Sequence, residues 1–107
     1  TARRYGVEPH VLAALAETFP GLEWERQVTW FWRRVVQHGR RRSEEMREAA
    51  LTVADAGIAP RMATATAELQ GWIAALRADG AFADAAADAG WRELADRIER
   101  EPDAGQR

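Results

Sequence analysis

Apolar residues along this chain recur at three- and four-residue spacings, and runs of alternating β-branched residues are few, so the pattern predicts helices and no strand. A first helix is expected from about Glu8 and Pro9, where proline suits an opening turn, with Val11, Leu12, Leu15 and Phe19 on one side until Pro20 and Gly21 stop it. A second is expected from about Trp24 to His38, carried by Trp24, Val28, Phe31 and Val35 and widened by Trp32 and Val36, with Gly39 supplying a left-handed closing residue. A third, capped near Ser43, would bury Met46, Ala50 and Val53. Gly57 then ends that helix and Pro60 opens the fourth, whose stripe reads Met62, Ala65, Leu69, Trp72, Ile73 and Leu76 before Asp79 and Gly80. The stretch from Ala81 to Ala89 is a weak helix at best, and a final helix after Gly90 would dock through Trp91, Leu94, Ala95 and Ile98. Residues 102–107 carry no apolar anchor and are expected to fray. The expected fold class is all-α: a single compact helical bundle of about five helices over residues 1–101.

Composition narrows the function more than the fold. With 107 residues, 47% apolar and 30% charged, the chain suits one modest core. Fifteen basic against seventeen acidic residues give a net charge of −2, so no global field draws it to nucleic acid or an anionic membrane. Cysteine is absent, which removes disulfides, thiol nucleophiles and thiolate zinc sites. A cytoplasmic setting is the expectation, and no signal peptide or membrane anchor is read at Thr1 to Gly6. Every basic residue is arginine and there is neither lysine nor asparagine, a usage that suggests a GC-rich bacterial genome. Opening on Thr1 within an element, the chain reads as a piece of a longer polypeptide.

Several chemistries can be set aside. No two glycines stand one residue apart, so the Gly-x-Gly-x-x-Gly turn that admits a pyrophosphate cannot be assembled, and a P-loop would also need a lysine. His10 and His38 lie on different expected helices without further ligands, so no metal site is expected. Ser43, the single serine, reads as a helix cap rather than a nucleophile.

The segment from His38 to Glu48 concentrates charge: Arg40, Arg41 and Arg42, then Glu44, Glu45, Arg47 and Glu48. One reading is a solvated face in which Glu44 and Glu48 favour the helix N-terminal dipole and pair with Arg47 and Arg40. A second takes Arg41 and Arg42 as forks for a carboxylate or phosphate, since guanidinium stays charged when partly buried and offers parallel donors. A third is nucleic-acid binding through Arg33, Arg34 and Arg40 to Arg42 with Trp30 or Trp32 stacking, opposed by the net charge and the neighbouring carboxylates.

The strings Phe19-Pro20-Gly21-Leu22-Glu23-Trp24, His38-Gly39 to Arg42, Glu45-Met46-Arg47-Glu48, Gly57-Ile58-Ala59-Pro60 and Met62 resemble the C-terminal domain of 6-phosphogluconate-dehydrogenase-like NAD(P)-binding oxidoreductases, relatives of the β-hydroxyacid dehydrogenases. The likeness runs from about Tyr5 to Leu76. It implies a helical domain that closes a substrate cleft and forms a homodimer, while NAD or NADP is held mainly by an N-terminal dinucleotide-binding domain expected upstream of this chain. It also places Glu44-Glu45-Met46 on a Lys-Asp-Leu tripeptide of the wider family, so an acid stands where that family has lysine. The proton-transferring lysine and its asparagine have no counterpart here, and no catalytic residue is expected in this chain. What the resemblance implies instead is a cleft wall for a small anionic substrate, with Arg41, Arg42 and Glu45 facing it and Met46 and His38 beside them. Trp32 and Trp72 fit buried core better than pocket wall. Two rival readings stay open: a free-standing helical adaptor that binds a protein partner through its tryptophan-rich second helix, and a nucleic-acid binder using the arginine cluster.

Overall fold

A computed structural model describes residues 1–101, and within them four helices follow one another: α1 (Glu8–Thr18), α2 (Trp24–Asp55), α3 (Arg61–Ala78) and α4 (Trp91–Glu99). No strand occurs among the described residues, so the all-α expectation holds. The expected tail at 102–107 lies outside the described residues.

Helix boundaries follow the breaker residues closely at four places. Pro9 sits in the first turn of α1, where its missing N–H costs nothing, and Gly90 caps α4 in an extended conformation. Gly57, at φ 79°, ends α2 in the left-handed region, and the amides of Gly57 and Ile58 close back on the carbonyls of Ala54 (2.9 Å) and Val53 (3.2 Å). Gly80 repeats this closure after α3, at φ 90°, with Ala81 N–H donating to Leu76 O at 3.0 Å.

The second and third expected helices are one element. α2 continues through Gly39, and the interruption is confined to His38, whose backbone (φ −124°, ψ 15°) leaves the helical region. Gly39 therefore supplies no left-handed cap. It is buried, and a methyl group at its α-carbon would lie 2.9 Å from the carbonyl oxygen of Gln70 on α3. The glycine serves a close helix crossing rather than a turn. Ser43 is likewise no cap: it is buried within α2, where its hydroxyl donates to Arg40 O at 3.1 Å and accepts from Arg47 Nη1 at 3.2 Å.

By chain packing the molecule divides into two compact units, Thr1–Arg33 with the segment from Phe82 onward, and Arg34–Ala81. In the first, every buried apolar side chain among the described residues comes from the later segment: Phe82, Ala89, Trp91, Leu94, Ala95 and Ile98. The α4 stripe is the expected one, with residues spaced three and four apart on a single face. The earlier segment is joined to it by polar contacts. Trp91 N–H donates to Thr29 Oγ1 (3.3 Å), its indole Nε1 donates to Glu25 Oε2 (3.0 Å), and Arg92 grips the same carboxylate through two bonds of 2.7 and 2.8 Å. Arg3 forks onto Asp96 (2.9 and 3.0 Å) and donates to buried Glu8 at 2.6 Å.

In the second unit Val36, Gly39 and Ser43 are buried on α2, and Ala67, Ile73 and Leu76 on α3. Small residues at Gly39, Ser43, Gly71 and Ala74 let the two helices approach closely. Several expected core positions stay in solvent: Met62 is 81% exposed and Leu69 55%, and Val11, Phe19 and Phe31 are also exposed. Periodicity found those stripes, yet within these units no helix covers them.

Candidate functional site

The irregular residue of α2 is also the centre of its charge. His38 breaks the helix, and the carbonyl of the preceding Gln37 accepts a hydrogen bond from Arg77 Nη1 at 2.8 Å, so a guanidinium from the last turn of α3 satisfies backbone at the kink. His38 is half-buried, and its imidazole titrates below the ordinary range. Burial disfavours the imidazolium first, and repulsion from Arg34, Arg41, Arg42 and Arg77 adds to it. Neutral imidazole is thus the favoured form at pH 7, in a locally positive field.

The five residues singled out by sequence share one stretch of α2 but not one environment. Arg41 and Glu45 are an i,i+4 pair at 3.6 Å with both side chains more than 60% exposed, which is the solvated-face arrangement. Arg42 is half-buried, and its Nε is buried without a hydrogen-bond partner among the described residues. Met46 is half-buried on the same helix. The spacing from His38 to Arg41, Arg42 and Glu45 sets these four on one side of the helical turn after the kink. Trp32 and Trp72 are both half-buried, as wall or partial core.

Beside the kink lies an open concavity of about 300 Å³ lined by Val36, Gln37, Gly39, Arg40, Ala74, Arg77 and Ala78. Its cations are Arg40 and Arg77, not Arg41 and Arg42. Arg77 was outside the sequence reading because nothing local distinguishes it: a basic residue in a helix's last turn ordinarily answers only its own helix dipole. The one usable signal was its place one turn after Ile73, on the side of α3 that meets α2.

Among the described residues no group of three or more His, Cys, Asp or Glu could hold a metal ion, and no helix is long and apolar enough to cross a membrane. The arrangement presents cations, hydrogen-bond donors and a neutral imidazole to solvent. Such an arrangement has the donors and charge to bind and orient an anion.

Residues 2–73 match the family described as a domain of unknown function, DUF1932, and the chain belongs to that family. The match takes in α1, α2 and α3 as far as Ile73, and leaves Arg77, the turns around Phe82 and α4 beyond it. No curated protein and no solved structure matches the chain.

Proposed function

From membership of the DUF1932 family, we propose that this chain is the helical C-terminal domain of a 6-phosphogluconate-dehydrogenase-like, NAD(P)-dependent oxidoreductase, acting in the cytoplasm as a homodimer on a small anionic substrate. The observation that carries this reading is the cation set around His38: four guanidiniums bear on one half-buried imidazole at a helix kink, beside an open concavity. Such a surface suits the wall of a cleft whose ligand arrives with negative charge.

The dinucleotide belongs elsewhere. Without two glycines one residue apart, this chain has no turn that lets backbone approach a pyrophosphate, so NAD or NADP is assigned to an N-terminal domain of the complete protein. When bound there, the nicotinamide supplies the hydride acceptor or donor. The residues of this chain bind and orient: Arg42 and its neighbours meet the anion, and the paired Arg41 and Glu45 form the rim. With no lysine in the chain, transfer of the hydroxyl proton that accompanies hydride transfer is assigned to the rest of the enzyme.

The test is made on the complete gene product. A Gly-x-Gly-x-x-Gly turn after a strand is expected ahead of Thr1, and calorimetry should detect NAD or NADP binding to the purified protein. A complete protein that binds neither dinucleotide rejects the oxidoreductase.

One observation favours a second reading. Trp30 and Phe31 on α2 are about half exposed, and their rings meet with centroids 5.5 Å apart. An adaptor would use this aromatic pair for a partner protein, whereas the oxidoreductase would use it for its dimer interface. Sedimentation of the complete protein with Trp30→Ala separates them: dissociation of a homodimer supports the first assignment, and an unchanged monomer supports the adaptor.

A further inference from the structure

Arg77 stands where α2 interrupts its own helix. Its Nη1 bond to Gln37 O, at 2.8 Å, spends one of the five N–H donors of the guanidinium. With Arg40 it lines the 300 Å³ concavity, whose other members, Val36, Gln37, Gly39, Ala74 and Ala78, include no carboxylate. Two larger concavities differ in this respect: one sets Glu23 beside Arg26, the other Glu68 beside Arg61. Arg40 has Glu44 at 3.8 Å, but its side chain is 90% exposed, so water screens that pair and leaves the cation weakly compensated. A chain of net charge −2 therefore holds a local cationic excess at this concavity, with no carboxylate in its lining to offset it.

We propose that this concavity binds a doubly charged oxyanion of the phosphate class, held between the guanidiniums of Arg40 and Arg77. A dianion offsets both cations, whereas a monocarboxylate offsets one, and tetrahedral oxygens accept guanidinium forks from two directions. Small side chains at Gly39, Ala74 and Ala78 keep the floor open. The inference deepens the proposed function, and rests on that reading only in making the bound group the substrate's own.

His38 reports the binding. Burial and the charges of Arg34, Arg41, Arg42 and Arg77 hold its imidazole neutral, and an anion brought against Arg77 offsets part of that repulsion. The experiment is an NMR titration of His38 in this chain with sodium sulfate, a tetrahedral oxyanion that stays doubly charged across the titration, compared with sodium chloride and with sodium acetate at matched ionic strength. His10, on α1, is the control in the same spectra. Sulfate is expected to raise the His38 midpoint by about half a pH unit or more over chloride, and acetate by clearly less. Arg77→Gln should abolish the sulfate response, and the charge-matched Arg61→Gln should retain it. If Arg77→Gln loses helical circular dichroism, Arg40→Gln on its exposed side chain carries the same comparison. Equal midpoints in sulfate and chloride overturn the site, as does a sulfate response that survives in the folded Arg77 or Arg40 variant. An acetate response equal to that of sulfate overturns the dianion. Hydride transfer plays no part in this titration, so a failed oxidoreductase reading leaves it intact, and its own failure leaves dinucleotide binding untouched.

Discussion

Gly39 on α2 lies so close to Gln70 on α3 that a β-carbon at position 39 would stand 2.9 Å from the Gln70 carbonyl oxygen. In an ordinary helix interior, replacing glycine with alanine stabilises by about 0.5–1 kcal/mol because the unfolded chain loses freedom. Here the obstacle is backbone, which cannot swing away as a flexible side chain would. Gly39→Ala is expected to destabilise by about 1–3 kcal/mol, read as a lower urea midpoint. A midpoint equal to or above that of the parent would mean that the crossing is looser than 2.9 Å implies.

Gly71, across the same crossing, predicts the opposite sign. The nearest atoms to a β-carbon there would be the Arg47 Nη2 at 3.4 Å and Ser43 atoms at 3.7 and 3.8 Å, ordinary contacts, one of them with the far end of a flexible arginine. Its φ is not in the left-handed region, so helix propensity is free to act. Gly71→Ala should stabilise by up to about 1 kcal/mol in the same assay. Destabilisation would show that the Ser43–Arg47 contact is too rigid to give way.

Trp91 joins the two segments of its unit by three means: burial, an amide bond to Thr29, and an indole bond to Glu25. Arg92 also lies over its ring, 4.7 Å from the centroid. Trp91→Ala is expected to cost about 3–5 kcal/mol, and Trp91→Phe less, since it keeps most of the apolar volume and loses the bond to Glu25. Hydrogen exchange locates the loss: protection should fall more in α1 and α4 than in α3. Uniform loss along the chain would contradict a separate first unit.

These cases mark what the sequence revealed and what it hid. The start and the buried face of α4 were legible, because Gly90 and the spacing of Trp91, Leu94, Ala95 and Ile98 are local signals that the packing then used. Gly57 and Pro60 were legible for the same reason. Gly39 was misread because a glycine closing a helix and a glycine admitting another helix look alike until the partner backbone is known. Met62 and Leu69 fit a stripe of apolar spacing but remain exposed, since periodicity states which face could be buried and not whether anything covers it. At the candidate site, His38 and Arg42 stand out in the sequence through the dense charge of their segment and the family resemblance, while Arg77 comes from 39 positions beyond His38 and has no local signature.

Acid should weaken the first unit through Glu8. Its carboxyl titrates below the usual range, chiefly because Arg3 donates to it and then because of a backbone bond; Asp96 is lowered by the same Arg3. A carboxyl whose folded-state pKa is depressed contributes stability above its unfolded value, about 4, and loses it as pH falls through the folded value. The urea midpoint should therefore stay level from neutrality to about pH 5 and decline below about pH 4. Glu8→Gln should lower the plateau and make the acid limb shallower. A limb of unchanged steepness would show that Glu8 is not among the groups taking up protons.

Arg42 and Arg41 adjoin in sequence but should differ in the oxidoreductase proposed above. Arg41 spends its charge on Glu45 in open solvent, a pairing worth little in either direction, whereas Arg42 is half-buried with an Nε that has no partner among the described residues. A guanidinium with one N–H already out of water and short of an acceptor gains more from an arriving anion than a solvated one does. Arg42→Ala is expected to raise KM for the acidic substrate about 10–100-fold, the equivalent of one lost charged hydrogen bond, with kcat little changed. Arg41→Ala should raise it no more than about fivefold. Arg42→Lys should recover part of the loss, because the charge returns without the planar fork. If both alanine variants keep the parent KM, the stretch from His38 to Glu48 is a solvated face, and the substrate meets the domain at another surface.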